Sequence, residues 1–189
     1  EENYRRSGVT DPMRIEKDAF FAHQVMWNGW VDTDKFQTYI IGHWNYPEHT
    51  VKSVYVVSNG EQVELLLNGK SLGKGKRESH FLFTFDKVAY QPGRLEAVSY
   101  DGKGREVSRY TLSTVGEAAR LELTAIQNPE GFHADGADMA LLQVEVVDKD
   151  GRRCPLDNRT VRFTLKGEAE WRGGIAQGKD NHILDMNLP

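Results

Sequence analysis

Turn dipeptides recur along this chain at short intervals, and that spacing limits what it can become. Asn59-Gly60, Asn68-Gly69, Pro92-Gly93, Asp101-Gly102 and Asp150-Gly151 each interrupt a short run rich in β-branched, aromatic or alternating apolar residues. Such pairs supply the backbone conformations that reverse an extended chain. Runs this short rule out long helices over most of the sequence, and the alternation predicts strands with one buried face.

Three zones follow. In residues 1–30, Asp11-Pro12 reads as a helix start, with Asp11 as cap and Pro12 in the first turn. Ala19, Phe20, His23, Met26 and Trp27 then recur at helical spacing as one apolar stripe, and Asn28-Gly29 closes the helix. In residues 31–116, strands are predicted at Phe36–Ile41, Ser53–Val57, Gln62–Leu67, His80–Phe85, Arg94–Tyr100 and Glu106–Thr114. Phe81, Phe83 and Phe85 share one face. This is an immunoglobulin-like β-sandwich pattern. In residues 117–189, strands are predicted at Arg120–Ile126, Asp138–Val147 and Thr160–Leu165. A sandwich needs about seven strands, so this zone reads as a second, incomplete one. The apolar face of Leu142, Val144 and Val146 would then be completed by another chain, as in a homodimer, by swapping, or go with disorder near the C-terminus.

The composition excludes several classes. Net charge is −4 with scattered basic residues, which argues against nucleic acid as a partner. No apolar run approaches the roughly twenty residues of a membrane span. The lone Cys154 can form no internal disulfide and reads as a small hydrophobe.

Motifs with chemical potential each have a plainer explanation. Glu61 and Glu64, and likewise Glu168 and Glu170, read as solvated strand charges rather than a glycosidase pair. Asn68-Gly69-Lys70-Ser71 lacks the first glycine of a phosphate loop, since Glu64 stands there. Asp148-Lys149-Asp150-Gly151 opens like a calcium loop, but its twelfth position is Arg159. His23, His43, His49, His80, His133 and His182 show no helical i, i+4 pair, so no metal and no cofactor is expected. Asn158-Arg159-Thr160 matches a glycosylation acceptor, a triplet common by chance. Trp27, Trp30, Trp44 and Tyr46 are the most suggestive group. They pack the seam between helix and sandwich, or else Trp44 and Tyr46 stand exposed as a platform that stacks on a glycan.

At these residues a family resemblance emerges. Gly8-Val9-Thr10-Asp11 through Arg14-Ile15-Glu16-Lys17-Asp18-Ala19-Phe20-Phe21 resembles the end of the catalytic barrel in bacterial family 2 glycoside hydrolases of the β-galactosidase type, where "D-x-x-R-I-P-K" introduces the last barrel helix. Glu16 stands where proline is usual, and Trp27 matches the closing tryptophan. Gly42-His43-Trp44-Asn45-Tyr46-Pro47 resembles the "G-H-W-N-W/Y-P" signature of the sandwich that follows. Val63-Glu64-Leu65-Leu66-Leu67-Asn68-Gly69-Lys70-Ser71-Leu72-Gly73 resembles its "V-E-L-F-L-N-G-K-S-L-G". Tyr90-Gln91-Pro92-Gly93 and Tyr100-Asp101 are similar to its later strands. Ala134-Asp135-Gly136-Ala137-Asp138-Met139-Ala140 and the strand after it resemble the next immunoglobulin-like module.

The resemblance implies retaining glycoside hydrolysis by two glutamates about 5 Å apart on barrel strands. Those strands precede the part of the family to which Gly8 corresponds, so no catalytic residue is carried onto this chain. It implies a non-catalytic accessory role, with the upstream barrel of the same polypeptide as partner, and a periplasmic, secreted or cell-surface place in a bacterium. The other readings are a glycan-binding module using Trp44 and Tyr46, and an adhesin-like structural module.

Overall fold

In a computed structural model, residues 8–11 and 14–174 are described, and they are mainly antiparallel β. The chain divides into two compact units, residues 1–156 and 157–189.

Helix α1, Asp18–Trp30, opens the first unit. Its start is not capped by Asp11. Lys17 holds the N-cap position without a side-chain hydrogen bond, and Asp18 supplies the negative charge that the first turn favours. Asp11 instead closes a tight loop. Its Oδ1 accepts from the Ile15 N–H at 2.8 Å, and Lys17 N–H donates to Val9 O at 3.0 Å. Pro12 lies outside the described residues. The helix also runs past Asn28-Gly29 to Trp30. Gly29 is retained inside it because a Cβ there would meet Phe81 Cε1 at 2.2 Å. The buried stripe is accordingly rotated from the expected one. Phe21, Ala22, Val25 and Met26 pack inward, while His23 and Trp27 face out.

Eight strands form a sandwich of two four-stranded sheets. One holds β1 (Thr38–Ile40), β2 (Val51–Ser58), β6 (Leu82–Ala89) and β5 (Lys76–Arg77) in the order β1-β2-β6-β5. The other holds β4 (Lys70–Lys74), β3 (Gln62–Leu67), β7 (Arg94–Tyr100) and β8 (Glu106–Ser113) in the order β4-β3-β7-β8. Val54, Val56, Phe83 and Phe85 from the first sheet meet Val63, Leu65, Leu67, Leu95 and Ala97 from the second. Each buried aliphatic or aromatic side chain contributes roughly 1.5–3 kcal/mol. Phe81 does not share the face of Phe83 and Phe85. It precedes β6 and packs in a second cluster with Val25, Tyr39 and Val57, under α1.

The Asn68-Gly69 pair turns β3 into β4 as its sequence predicts, with both residues at positive φ (52° and 79°). The Asn68 side chain also grips the neighbouring hairpin, accepting from Arg94 N–H at 2.8 Å and donating to Pro92 O at 3.0 Å. Gly93 leaves room for that grip, since a Cβ there would lie 1.8 Å from Asn68 Oδ1.

Beyond the sandwich, β9 (Ala118–Ile126) and β10 (Leu141–Asp148) pair as an antiparallel ribbon. Leu121, Leu123 and Ala125 stand opposite Val146, Val144 and Leu142, which puts six apolar residues on one face. Leu121, Leu123 and Leu142 are exposed. Thr160–Leu165 forms no strand: these residues have no ladder partner among the described residues, and alternation alone cannot satisfy backbone hydrogen bonds.

Candidate functional site

The segment after β1 gathers most of the polar and aromatic chemistry. Trp44 is 1% exposed and therefore needs a partner for its indole N–H, which donates to Gln91 O at 3.0 Å. Its own carbonyl accepts from Thr114 Oγ1 at 2.9 Å, and Asn45 Oδ1 accepts from Val115 N–H at 2.8 Å. The ring meets Tyr46 and Tyr90 edge-on, with centroids 6.0 and 5.2 Å away. The Gly-His-Trp-Asn segment thus locks three stretches of chain at one end of the sandwich. Of the two readings of Trp44 and Tyr46, packing holds and the exposed platform is not formed, because the core claims the Trp44 ring and Tyr46 is half-buried beside it.

Two residues beside this lock remain accessible. His43 stacks on Tyr46 with centroids 4.6 Å apart, and its Nδ1 accepts from Asn45 N–H at 3.1 Å. Burial, then the nearby Lys52 ammonium, hold the imidazole below its ordinary pKa, against a weaker opposing pull from Asp18. The ring is therefore neutral at pH 7, with its proton on Nε2. Lys52 Nζ donates to Tyr46 Oη at 2.5 Å and lies 4.2 Å from that ring's centroid. Lys52 carried no recognisable sequence signal, because an isolated lysine on a strand reads as surface charge.

Asp18, at the start of α1, accepts from Tyr39 Oη at 2.6 Å. Burial, then Asp18, push the Tyr39 hydroxyl far above its ordinary pKa. This bond ties the helix start to β1. At the helix end, Asn28 Nδ2 donates to Gln37 Oε1 at 2.7 Å. The exposed residues of α1 include two large rings beside polar His23 and Gln24: Trp27 is 60% and Trp30 is 65% exposed. Trp30 meets Phe81 edge-on at 5.1 Å, and a groove of about 470 Å³ runs beside it, lined by Ala22, Met26, Trp30, His80, Phe81 and Leu82.

Of the carboxylates considered above, Glu61, Glu64 and Glu170 have side-chain partners. Glu61 pairs with Arg77 at 3.3 Å, and Glu170 with Arg172 at 2.8 Å. Glu64 accepts from Ser71 at 2.5 Å and from Tyr100 at 2.9 Å, which holds it below its ordinary pKa. Asp148 is a turn-former rather than a calcium ligand. It accepts from the backbone N–H groups of Gly116, Asp150 and Arg152 and from the Arg152 guanidinium, all at 2.9–3.0 Å. No group of three metal-ligating side chains occurs among the described residues, and His182 lies outside them.

Comparison with known proteins accounts for this architecture. Residues 122–184 match the family model "Glycoside hydrolase family 2 C-terminal domain 5", and residues 49–108 match "Domain of unknown function (DUF4982)". A β-glucuronidase of Formosa agariphila is 44% identical over 185 residues, which is 97% of this chain and 18% of that protein. A β-galactosidase of Bacteroides ovatus is 29% identical over 175 residues, covering 92% of this chain and 19% of that protein. The solved structure of a family 2 β-glucuronidase superposes with a TM-score of 0.85 at 43% identity, over 94% of this chain and 18% of that one. A family 2 member from Bacteroides cellulosilyticus gives 0.70 at 30% identity, over 80% of this chain and 22% of that one. The chain thus spans about a fifth of the relatives it matches. In sequence and in fold, it belongs with the C-terminal region of family 2 glycoside hydrolases.

Proposed function

We propose that this chain is a non-catalytic accessory region of a retaining exo-glycosidase, acting on β-galactosides or β-glucuronides, in which α1 completes the catalytic barrel and the sandwich buttresses it. The observation that carries this reading is the two-sided helix. Its inner stripe is buried against the sandwich, while Trp27 on its outer side and Trp30 at its flank remain more than half exposed. Two large aromatic rings left mostly in water, one of them lining an apolar groove, are the mark of a surface that meets another body. The partner is the barrel upstream in the same polypeptide. Residues 1–30 would then be the end of the barrel, 31–116 its supporting sandwich, and 117–189 part of a further module. The whole enzyme would work in the periplasm, outside the cell or at its surface in a bacterium.

The test is direct. The purified 189-residue chain should release no p-nitrophenol from p-nitrophenyl β-galactoside or β-glucuronide above the buffer rate. Turnover by this chain would defeat the reading. In the full-length enzyme, Trp27→Ser should lower the thermal midpoint of the catalytic part, while leaving the stability of the isolated chain within about 0.5 kcal/mol of its starting value.

A further inference from the structure

The corner made by His43, Tyr46 and Lys52 presents two fixed hydrogen-bond donors that the fold itself does not consume. His43 Nδ1 is occupied by the Asn45 N–H, so the ring's proton sits on Nε2, away from the backbone. The Lys52 ammonium spends one proton on Tyr46 Oη, and no carboxylate among the described residues lies within ion-pair distance of it. Both groups rest on one ring: His43 stacks on Tyr46, and Lys52 lies over it. That shared support restricts their motion, which lowers the cost of holding a ligand. Asp18 is near enough to be felt at His43, yet Lys52 is felt more strongly, and Asp18 Oδ1 is already engaged by Tyr39. The ammonium at the corner therefore has no carboxylate partner in direct contact with it among the described residues.

Asp18 also locates the corner. It begins α1, so the corner lies by the N-terminal end of that helix. In a β/α barrel each helix runs back from the strand before it, so helix N-termini stand at the face where the strands end and where active sites form.

We propose that His43 and Lys52 form a rim contact for the carboxylate of an acidic sugar, a uronic acid unit of the substrate, on the reading of α1 as a barrel helix given above. The two carboxylate oxygens accept from His43 Nε2–H and from the Lys52 ammonium, both charge-assisted bonds. A neutral hexose offers no charge to the ammonium and gains little there.

The experiment titrates the 189-residue chain with sodium glucuronate, with galactose and with sodium sulfate at matched ionic strength, reading the His43 ring resonances by NMR. Glucuronate is expected to give a saturable shift, with galactose and sulfate at least about fivefold weaker. Lys52→Met should abolish the response, and Lys52→Arg, which keeps the charge, should retain it within about threefold. The absence of a saturable shift with glucuronate, or equal responses to galactose or to sulfate, overturns the proposal. Failure of the scaffold reading would instead appear as turnover by the chain alone, which these titrations do not measure.

Discussion

Glu96 is 2% exposed on the outer face of β7, where a lone carboxylate would be costly. Arg109 Nη1 and Arg94 Nη2 close on it at 2.8 and 2.9 Å. Burial raises its pKa, but the bonds from Arg109 and then Arg94 outweigh burial and hold it below its ordinary value. Glu96→Gln removes one charge and leaves two guanidinium groups short of a partner, and should cost about 1–3 kcal/mol in a urea titration. Asp148 is held lower still, first by the Gly116 N–H bond and also by Arg152. Both carboxylates have folded pKa values below their unfolded ones. Their contribution is thus complete above the unfolded pKa, near pH 4, and is lost as pH falls through the folded values. The urea midpoint should therefore hold steady from pH 7 to about pH 5 and fall below about pH 4, with a shallower fall in Glu96→Gln. Neither role was legible in the sequence. Glu96 sits between Leu95 and Ala97 on a strand buried on both sides, which alternation cannot reveal, and Asp148 read only as the first residue of a turn.

The elements divide by how local their causes are. The hairpin at Asn68-Gly69 was legible because two adjacent residues decide it. The ribbon of β9 and β10 was legible because strict alternation survives on both strands. The rotation of α1 was not. Ala19, Phe20, His23, Met26 and Trp27 make as good a helical stripe on paper as Phe21, Ala22, Val25 and Met26, and only the sheet beneath decides between them. Gly29 misled for a related reason: the absence of a side chain marks a helix end in sequence, but here it admits Phe81. Gly29→Val should therefore lower stability by about 1–3 kcal/mol through overpacking, despite gaining helix propensity, with altered tryptophan fluorescence as Trp30 is displaced. Trp44 was legible as important, but its sequence context left packing and exposure both open, and only the sandwich core decides for packing. Trp44→Ala should cost about 3–5 kcal/mol and Trp44→Phe much less, measured by thermal unfolding.

At the scale of the whole molecule, the two-sheet sandwich follows from turn spacing and strand count. The family followed from short motifs whose residues prove to be structural: a turn at Asn68-Gly69 and a lock at Trp44-Asn45. Such motifs identify kinship without identifying chemistry. The apolar face of the β9–β10 ribbon bears on assembly. If a second copy covers it, Leu123→Lys should shift the light-scattering mass from dimer to monomer; a monomeric parent chain at all concentrations would exclude that cover.

One feature of α1 reaches further. Its inner stripe is what keeps Val57, Phe81 and Tyr39 dry, so the outer wall of the sandwich is finished by residues that precede it in the chain. A truncation beginning at residue 31 would strip that wall and expose a greasy patch, and such a protein should precipitate or self-associate on expression. The module boundary visible in the order of strands is consequently not a place where evolution, or a cloning scissor, can cut: the sandwich inherits its roof from its neighbour, and the two must be moved together.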